Sequence, residues 1–139
     1  MRETDLEKSL GGGRPRIQSA PRRRVLVVDD HRDTARVLAV LLGALGHDAR
    51  SATSGDQALV EVVAFQPDVV VLDIGLPKMD GYELARRLRA RAEGAELKLV
   101  ALTGSGTDED RRRTREAGFD RHLVKPIDAR VLQEVLAGL

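Results

Sequence analysis

The sequence predicts an α/β fold built on a parallel sheet, and three observations support that prediction. From Arg24 onward, short β-branched apolar runs alternate with longer segments of helical period, the pattern of repeated strand–helix units. Five such units fit before Leu139. Two of the runs, 25–28 and 69–72, end in acids, and open parallel sheets bind ligands beyond the carboxyl ends of their strands.

The first half of the chain supplies two complete units and the strand of a third. The predicted elements are a strand over 25–28, a helix over about 33–45, a strand over about 48–52, a helix after the N-cap Ser54 and a strand over 68–72. Gly46 is the expected stop of the first helix. Its predicted inner face holds Val37, Leu38, Leu41, Leu42 and Leu45.

The second half completes the pattern. Its predicted elements are a helix over about 82–91, a strand over 97–102, a helix capped by Thr107, a strand over 121–124 and a helix starting at Asp128. The helix over 82–91 carries a basic face that is expected to be solvated, made of Arg86, Arg87, Arg89 and Arg91.

Composition limits the class of protein. A chain of 139 residues with 42% hydrophobic content suits one domain with a single core. No apolar run approaches the ~20 residues needed to span a bilayer, so a soluble cytoplasmic protein without a membrane partner is expected. The absence of cysteine excludes disulfides, thiolate metal sites and cysteine nucleophiles.

The N-terminal segment differs in composition from the rest. Residues 1–23 hold six Lys or Arg against three acids, with a Gly11–Gly13 run and two prolines. This composition predicts a flexible basic tail or linker over 1–23 and a folded domain over 24–139. An arm that binds nucleic acid or an acidic partner is the alternative, but the segment lacks interleaved aromatics, so direct nucleic-acid contact is not expected.

Polar residues follow four of the five predicted strands. Right-handed crossovers bring the carboxyl ends of these strands to one edge, so Asp29, Asp30, Asp73, Thr103 and Lys125 are expected to converge. Three acids repel one another unless a positive group lies between them, and the candidates are Lys125 and a divalent cation.

An oxygen-rich ligand set of this kind suits Mg²⁺ or Mn²⁺. Asp30 and Asp73 are the expected direct ligands, Asp29 could bind through water, and the Gly75 carbonyl could complete the set. No His or Cys is expected among these ligands, which argues against zinc. His31 is expected only at the rim of the site, and His47 on the surface.

The same residues could work as a phosphoryl clamp. A carboxylate beside a divalent ion can attack phosphorus, since the metal neutralises both the attacking acid and the transferring oxygens. Lys125 would supply a second positive contact and Thr103 a hydroxyl, while Pro126 fixes a turn after the lysine that is compatible with a cis bond.

Four motifs carry a resemblance to a known family. They are Val27-Val28-Asp29-Asp30, the run from Leu72 to Leu84 (LDIGLPKMDGYEL), Leu102-Thr103-Gly104 and Val124-Lys125-Pro126. In this order and spacing, 24–139 resembles the receiver domain of two-component response regulators. The resemblance implies a flavodoxin-like doubly wound (βα)5 fold with strand order 2-1-3-4-5, and a signalling domain rather than an enzyme.

The resemblance also implies a role for each site residue. Asp73 would accept a phosphoryl group from a phosphohistidine on a histidine kinase or histidine phosphotransfer protein. Asp29 and Asp30 would be the metal-binding acids, with the Gly75 carbonyl as third contact, and Thr103 and Lys125 would contact the phosphoryl group. Phosphorylation would shift the surface of the fourth helix, fifth strand and fifth helix, which signals to a downstream protein and is the common dimer surface of the family.

One position departs from the family pattern, and two others bear on the lifetime of the phosphoryl group. His122 stands where the family usually has a Tyr or Phe that swings between rotamers. Three interpretations stay open: a partly exposed edge-strand histidine, a modified switch, or a pH sensor. Gly75 and Ser105 occupy the lifetime-tuning positions, and neither offers a carboxylate or amide to hold water.

Two other functions are alternatives to the phosphoacceptor hypothesis. A haloacid-dehalogenase-type phosphohydrolase uses similar groups, but its nucleophile needs an acid two residues later, where this chain has Gly75. A binding module that signals without phosphorylation is the second. A free-standing regulator and the receiver of a hybrid kinase both remain open, as do a monomer and a weak dimer.

Overall fold

The computed structural model describes residues 22–91, 94 and 96–139. The predicted tail therefore lies outside the described residues except for Arg22 and Arg23. Within the described part, five strands form one parallel sheet: β1 (Arg24–Val28), β2 (Asp48–Ala52), β3 (Val69–Asp73), β4 (Lys98–Thr103) and β5 (Arg121–Val124). Their order is β2-β1-β3-β4-β5, which confirms the predicted doubly wound topology.

Five helices follow the strands in turn. They are α1 (Arg32–Ala44), α2 (Gly55–Phe65), α3 (Gly81–Arg89), α4 (Asp108–Ala117) and α5 (Ala129–Ala137). The predicted caps form: Ser54 accepts a hydrogen bond from the Gln57 amide, and Thr107 accepts one from the Asp110 amide. Gly46 takes a φ of 99° after α1, a conformation that favours glycine. No helix of this part is long and apolar enough to cross a membrane.

The core lies on both faces of the sheet because side chains alternate along each strand. Leu26, Val70 and Leu99 face one side, where α2, α3 and α4 pack. Val27, Val71 and Val100 face the other side, where α1 and α5 pack. The strands β1 and β3 are almost wholly buried, as expected for the centre of a parallel sheet covered on both faces.

The packing corrects three predictions about helix faces and surfaces. On α1 the buried stripe is Ala35, Leu38 and Leu42, so the predicted inward positions Val37 and Leu41 are exposed. His47 was predicted on the surface but is only 6% exposed, because its ring nitrogens contact the Arg23 amide and the Gln133 side chain.

Arg89 is the third correction. Its guanidinium was expected in solvent, but it turns inward and donates to the carbonyls of Gly118, Gly94 and Leu97 and to the Asp120 carboxylate. The side chain is therefore part of the scaffold that joins α3 to the starts of β4 and β5. The helical period predicted an outward side chain, because periodicity carries no information about the carbonyls that the segments before β4 and β5 present to Arg89.

Candidate functional site

The carboxyl ends of four neighbouring strands bring the predicted site residues to one edge. Asp29 follows β1, Asp73 ends β3, Thr103 ends β4 and Lys125 follows β5. Backbone bonds extend the sheet into this region, from the Ile74 amide to the Leu102 carbonyl at 3.0 Å and from the Lys125 amide to the Thr103 carbonyl at 2.7 Å. The sheet therefore fixes where each of these side chains begins, and the Lys125–Pro126 peptide is cis.

The ammonium group of Lys125 lies between two carboxylates. Its Nζ is 3.2 Å from Asp29 Oδ2 and 3.0 Å from Asp73 Oδ2. Asp29 is buried, with 1% of its side chain exposed, and Asp73 is 10% exposed. Charge-assisted hydrogen bonds at these distances are strong, so Lys125 offsets part of the repulsion between the acids.

The electrostatics of this cluster favour its charged forms. Burial by itself raises the pKa of Asp29, but hydrogen bonds from the His31 amide and Lys125 outweigh it, and the pKa is lowered from its ordinary value. Burial likewise lowers the pKa of Lys125, yet the hydrogen bond and charge of Asp73, followed by those of Asp29, produce a net rise. The ion pairs therefore persist at neutral pH.

Each oxygen of Asp73 has a partner of a different kind. Oδ2 accepts from Lys125, and Oδ1 accepts from the Gly75 amide at 2.9 Å. The turn after β3 therefore orients the carboxylate. A Cβ added at Gly75 would lie 3.6 Å from Asp73 Oδ1, an ordinary contact, so the position tolerates a side chain beside the carboxylate.

The acids form a group suited to a divalent cation. Ligand atoms of Asp29, Asp30, His31 and Asp73 all lie within 4.8 Å of one another. Three carboxylates against one ammonium leave an excess of negative charge, and oxygen donors of this kind fit Mg²⁺ or Mn²⁺. His31 lies closer than expected, since its Nδ1 is 3.2 Å from Asp29 Oδ1 and 3.4 Å from Asp30 Oδ1, although 71% of its side chain is exposed.

Thr103 belongs to a second cluster beside the first. Its hydroxyl lies 2.5 Å from the Ser105 carbonyl and 2.8 Å from His122 Nε2. The other ring nitrogen, Nδ1, is 3.1 Å from the hydroxyl of Thr114 on α4. Among the described residues Thr103 makes no side-chain hydrogen bond to Asp73 or Lys125, so the two clusters are adjacent but separate.

Thr114 was missed in the sequence. It is a threonine inside a helix, and such hydroxyls commonly bond a carbonyl of their own helix. The Thr114 hydroxyl makes that bond too, to the Arg111 carbonyl at 2.8 Å, so the local sequence gives no sign of a further role. Only the packing of α4 against β5 reveals its contact with His122.

Comparison with known proteins agrees with this geometry. The profile of the response regulator receiver domain family matches residues 25–137. A segment of the sensor histidine kinase RcsC of Salmonella typhimurium is 39% identical over 113 residues, covering 81% of this chain and 12% of that protein. The chain therefore spans only a small part of this curated relative.

Solved structures show the same fold. The chemotaxis response regulator CheY4 of Vibrio cholerae is 25% identical with a TM-score of 0.78, covering 84% of this chain and 97% of that one. The receiver domain of the sensor histidine kinase PA1611 of Pseudomonas aeruginosa, solved with magnesium in its active site cleft, is 29% identical with a TM-score of 0.75, covering 86% and 100%. With this fold, this strand-end cluster and the match over 25–137, the chain belongs to the response regulator receiver domain family.

Proposed function

We propose that residues 24–139 form a phosphoacceptor domain of a two-component phosphorelay, with Asp73 as the acceptor. The observation that carries the proposal is the position of Lys125, whose ammonium bonds both Asp29 and Asp73 at the carboxyl edge of the sheet. A cation fixed beside a nearly buried carboxylate stabilises the negative charge of a phosphoryl group attached there.

The transfer exchanges one bond to phosphorus for another. A carboxylate oxygen of Asp73 forms a bond to the phosphorus of a partner's phosphohistidine while the P–N bond breaks. The electron pair of that bond returns to the imidazole nitrogen of the donor, and an aspartyl phosphate remains on this chain. The Gly75 amide orients the attacking carboxylate, and Lys125 lies within reach of the new phosphoryl oxygens.

The acidic group would hold the divalent ion. Asp29, Asp30, Asp73 and the Gly75 carbonyl are its proposed ligands, with Mg²⁺ or Mn²⁺ as the ion. When bound, the ion supplies neutralisation of the acids and of the transferring oxygens. In its absence the ammonium of Lys125 bonds two of the three carboxylates, so the cluster keeps an excess of negative charge and is poorly arranged to receive a further anion.

The remaining roles concern readout and lifetime. Thr103 would turn its hydroxyl to a phosphoryl oxygen, and the change would reach a downstream protein through α4, β5 and α5. Gly75 and Ser105 would leave the acyl phosphate open to water without assisting it. The kinase or phosphotransfer donor and the receiving protein are partners of this site.

The experiment is adduct formation with acetyl phosphate or beryllofluoride in the presence and absence of Mg²⁺. We expect a stoichiometric, Mg²⁺-dependent adduct in the wild type, its loss in Asp73→Asn, and its retention in Asp56→Asn, an exposed acid on α2. An adduct that survives Asp73→Asn, or a wild type that forms none, would contradict the proposal.

A further inference from the structure

The ring of His122 lies between two hydroxyl groups that come from different elements. Nε2 is 2.8 Å from the hydroxyl of Thr103, at the end of β4, and Nδ1 is 3.1 Å from the hydroxyl of Thr114 on α4. Nε2 is also 3.3 Å from the Ser105 carbonyl. The histidine therefore reaches the residue proposed to sense the phosphoryl group.

The protons of this network can be assigned from its acceptors. Four contacts form a chain: Arg111 carbonyl to Thr114 hydroxyl, Thr114 to Nδ1, Nε2 to Thr103 hydroxyl, and Thr103 to Ser105 carbonyl. The Ser105 carbonyl can only accept, so the Thr103 hydroxyl gives it its one proton. Nε2 must then donate to the Thr103 oxygen.

This assignment needs a proton on Nε2. With that proton, Nε2 holds the Thr103 oxygen while Thr103 donates to the Ser105 carbonyl. The other ring nitrogen, Nδ1, lies 3.1 Å from the Thr114 hydroxyl, which fixes the plane of the ring.

The charged groups around His122 are engaged with other partners. On α4, hydrogen bonds from Ser105 and Thr107 lower the pKa of Asp110, with smaller contributions from the positive charges of Arg113 and His122. The neighbouring guanidinium groups are engaged elsewhere, Arg111 with the Gly106 carbonyl, Arg121 with the Asp120 carbonyl and Arg113 over the Tyr82 ring. Lys125 is held by the acids of the site.

We propose that His122, anchored by Thr114, is a positioning residue that holds the Thr103 hydroxyl on the Ser105 carbonyl and restrains its movement toward Asp73. The proposal rests on the phosphoacceptor function above. The contact between Nε2 and Thr103 exists only while the hydroxyl is in this resting position. The weaker contact between Nε2 and the Ser105 carbonyl can remain after the hydroxyl leaves, so His122 stabilises the resting state more than the engaged one.

The test is the affinity for beryllofluoride with saturating Mg²⁺. Because His122→Phe removes the contact that is specific to the resting state, and Thr114→Val removes only the anchor of the ring that makes this contact, we expect His122→Phe to tighten binding about 3- to 10-fold and Thr114→Val to tighten it less, given the usual worth of one hydrogen bond. Thr114→Val keeps the histidine, so a shared direction shows that the added phenyl ring is not the cause. Thr114→Ser keeps the hydroxyl and is expected to match the wild type.

The decisive comparison uses a Thr103→Val background. If His122 acts through the Thr103 hydroxyl, His122→Phe changes nothing once that hydroxyl is gone. Equal tightening in that background would overturn the proposal. So would unchanged or weaker binding in His122→Phe alone.

Nitrogen-15 NMR of the free protein separates this proposal from the phosphoacceptor function. We expect a slowly exchanging proton on Nε2 of His122, because that nitrogen donates to Thr103, and none on the ring of the exposed His31. A His122 without a protected proton on Nε2 would overturn the inference even with normal beryllofluoride binding. A protected Nε2 proton in a protein that forms no adduct would refute the phosphoacceptor function and support the position of His122.

Discussion

The two edges of the sheet hold charged groups in opposite ways. At the amino edge, Arg89 donates to Asp120 and to three backbone carbonyls, and Arg23 donates to the carbonyls of Leu136 and Leu139. All three guanidinium nitrogens of Arg89 donate hydrogen bonds. At the carboxyl edge, Asp29 and Asp73 share the ammonium of Lys125, and Asp30 lies in the same group of acids.

This difference separates scaffold from chemistry. A guanidinium whose donors are all used fixes the turns around it, and changing it should affect folding alone. A cluster with more negative than positive charge can still accept a cation, and its free energy changes whenever charge is added. The carboxyl edge is therefore the part of the molecule that can respond to a metal or a phosphoryl group.

The largest effect is expected from Arg89→Met, which removes the scaffold at the amino edge. Three part-buried carbonyls lose a donor and the Asp120 carboxylate keeps only the Leu99 amide, so we expect a loss of about 3 kcal/mol in the free energy of unfolding. Urea denaturation measures it. Arg86→Met is the matched control, because the Arg86 side chain is 60% exposed. Its ion pair with Glu83 is long, at 3.8 Å between Nε and Oε2, and is worth ~0.5 kcal/mol. Equal losses in both variants would show that Arg89 is not a scaffold residue.

Lys125→Met is expected to affect the chemistry of the carboxyl edge. Without the ammonium, the phosphoryl oxygens lose a fixed positive partner, so we expect adduct formation with acetyl phosphate to slow about 30-fold, or ~2 kcal/mol. Rates are compared at one Mg²⁺ concentration by mass spectrometry. If the variant is labelled at the wild-type rate, the lysine serves only to balance the resting acids.

Acid is expected to act on the carboxyl edge through Asp29. Its pKa is lowered below the ordinary 3.8, so its contribution to stability is present above that value and is lost as the pH falls through the lower folded-state pKa. Asp29→Asn removes that contribution. Urea unfolding between pH 6 and pH 2 should then show a shallower loss of stability in the variant, and parallel curves would exclude Asp29 as a source of acid sensitivity.

The smallest effect is expected from Gly75→Asn. The added side chain meets Asp73 Oδ1 at an ordinary contact distance and brings an amide that can hold an attacking water. We expect the label to be lost a few-fold faster from isolated phosphoprotein, with stability unchanged. Gly75→Ala, which adds bulk without an amide, is the control, and equal rates in the Ala and Asn variants would attribute any change to the backbone.

Much of the fold was predictable because its signals are local. The apolar strands and the caps at Ser54 and Thr107 follow from neighbouring residues, and β2 and β5 begin and end where expected. Other strand bounds shift by one residue, as in β3, where Asp73 is the last paired residue rather than the first of the turn. The convergence of Asp29, Asp73 and Lys125 was predictable from topology, since parallel strands share one edge.

The partners of His47, Arg89 and His122 were not predictable in this way. Each depends on groups from distant segments, such as Gln133 for His47 and Thr114 for His122. Periodicity states which face of an element is apolar, but it does not identify which carbonyl or hydroxyl a neighbouring element presents. Two of the three corrected predictions, those for His47 and Arg89, therefore concern polar side chains held by tertiary contacts. The third concerns the width of an apolar face, since Val37 and Leu41 on α1 are exposed.

The sequence separation of the Lys125 contacts has a consequence for folding. Lys125 bonds Asp29 across 96 positions and Asp73 across 52, so these are contacts between residues far apart in the sequence. They form only once β5 has paired with β4, and until then the negative charge of the acids is not offset by the lysine. A chain truncated after α4 would keep its three acids without their cation. The capacity to form the adduct is thus a measure of complete folding, and local opening of the last strand would silence the site while the central sheet stays intact.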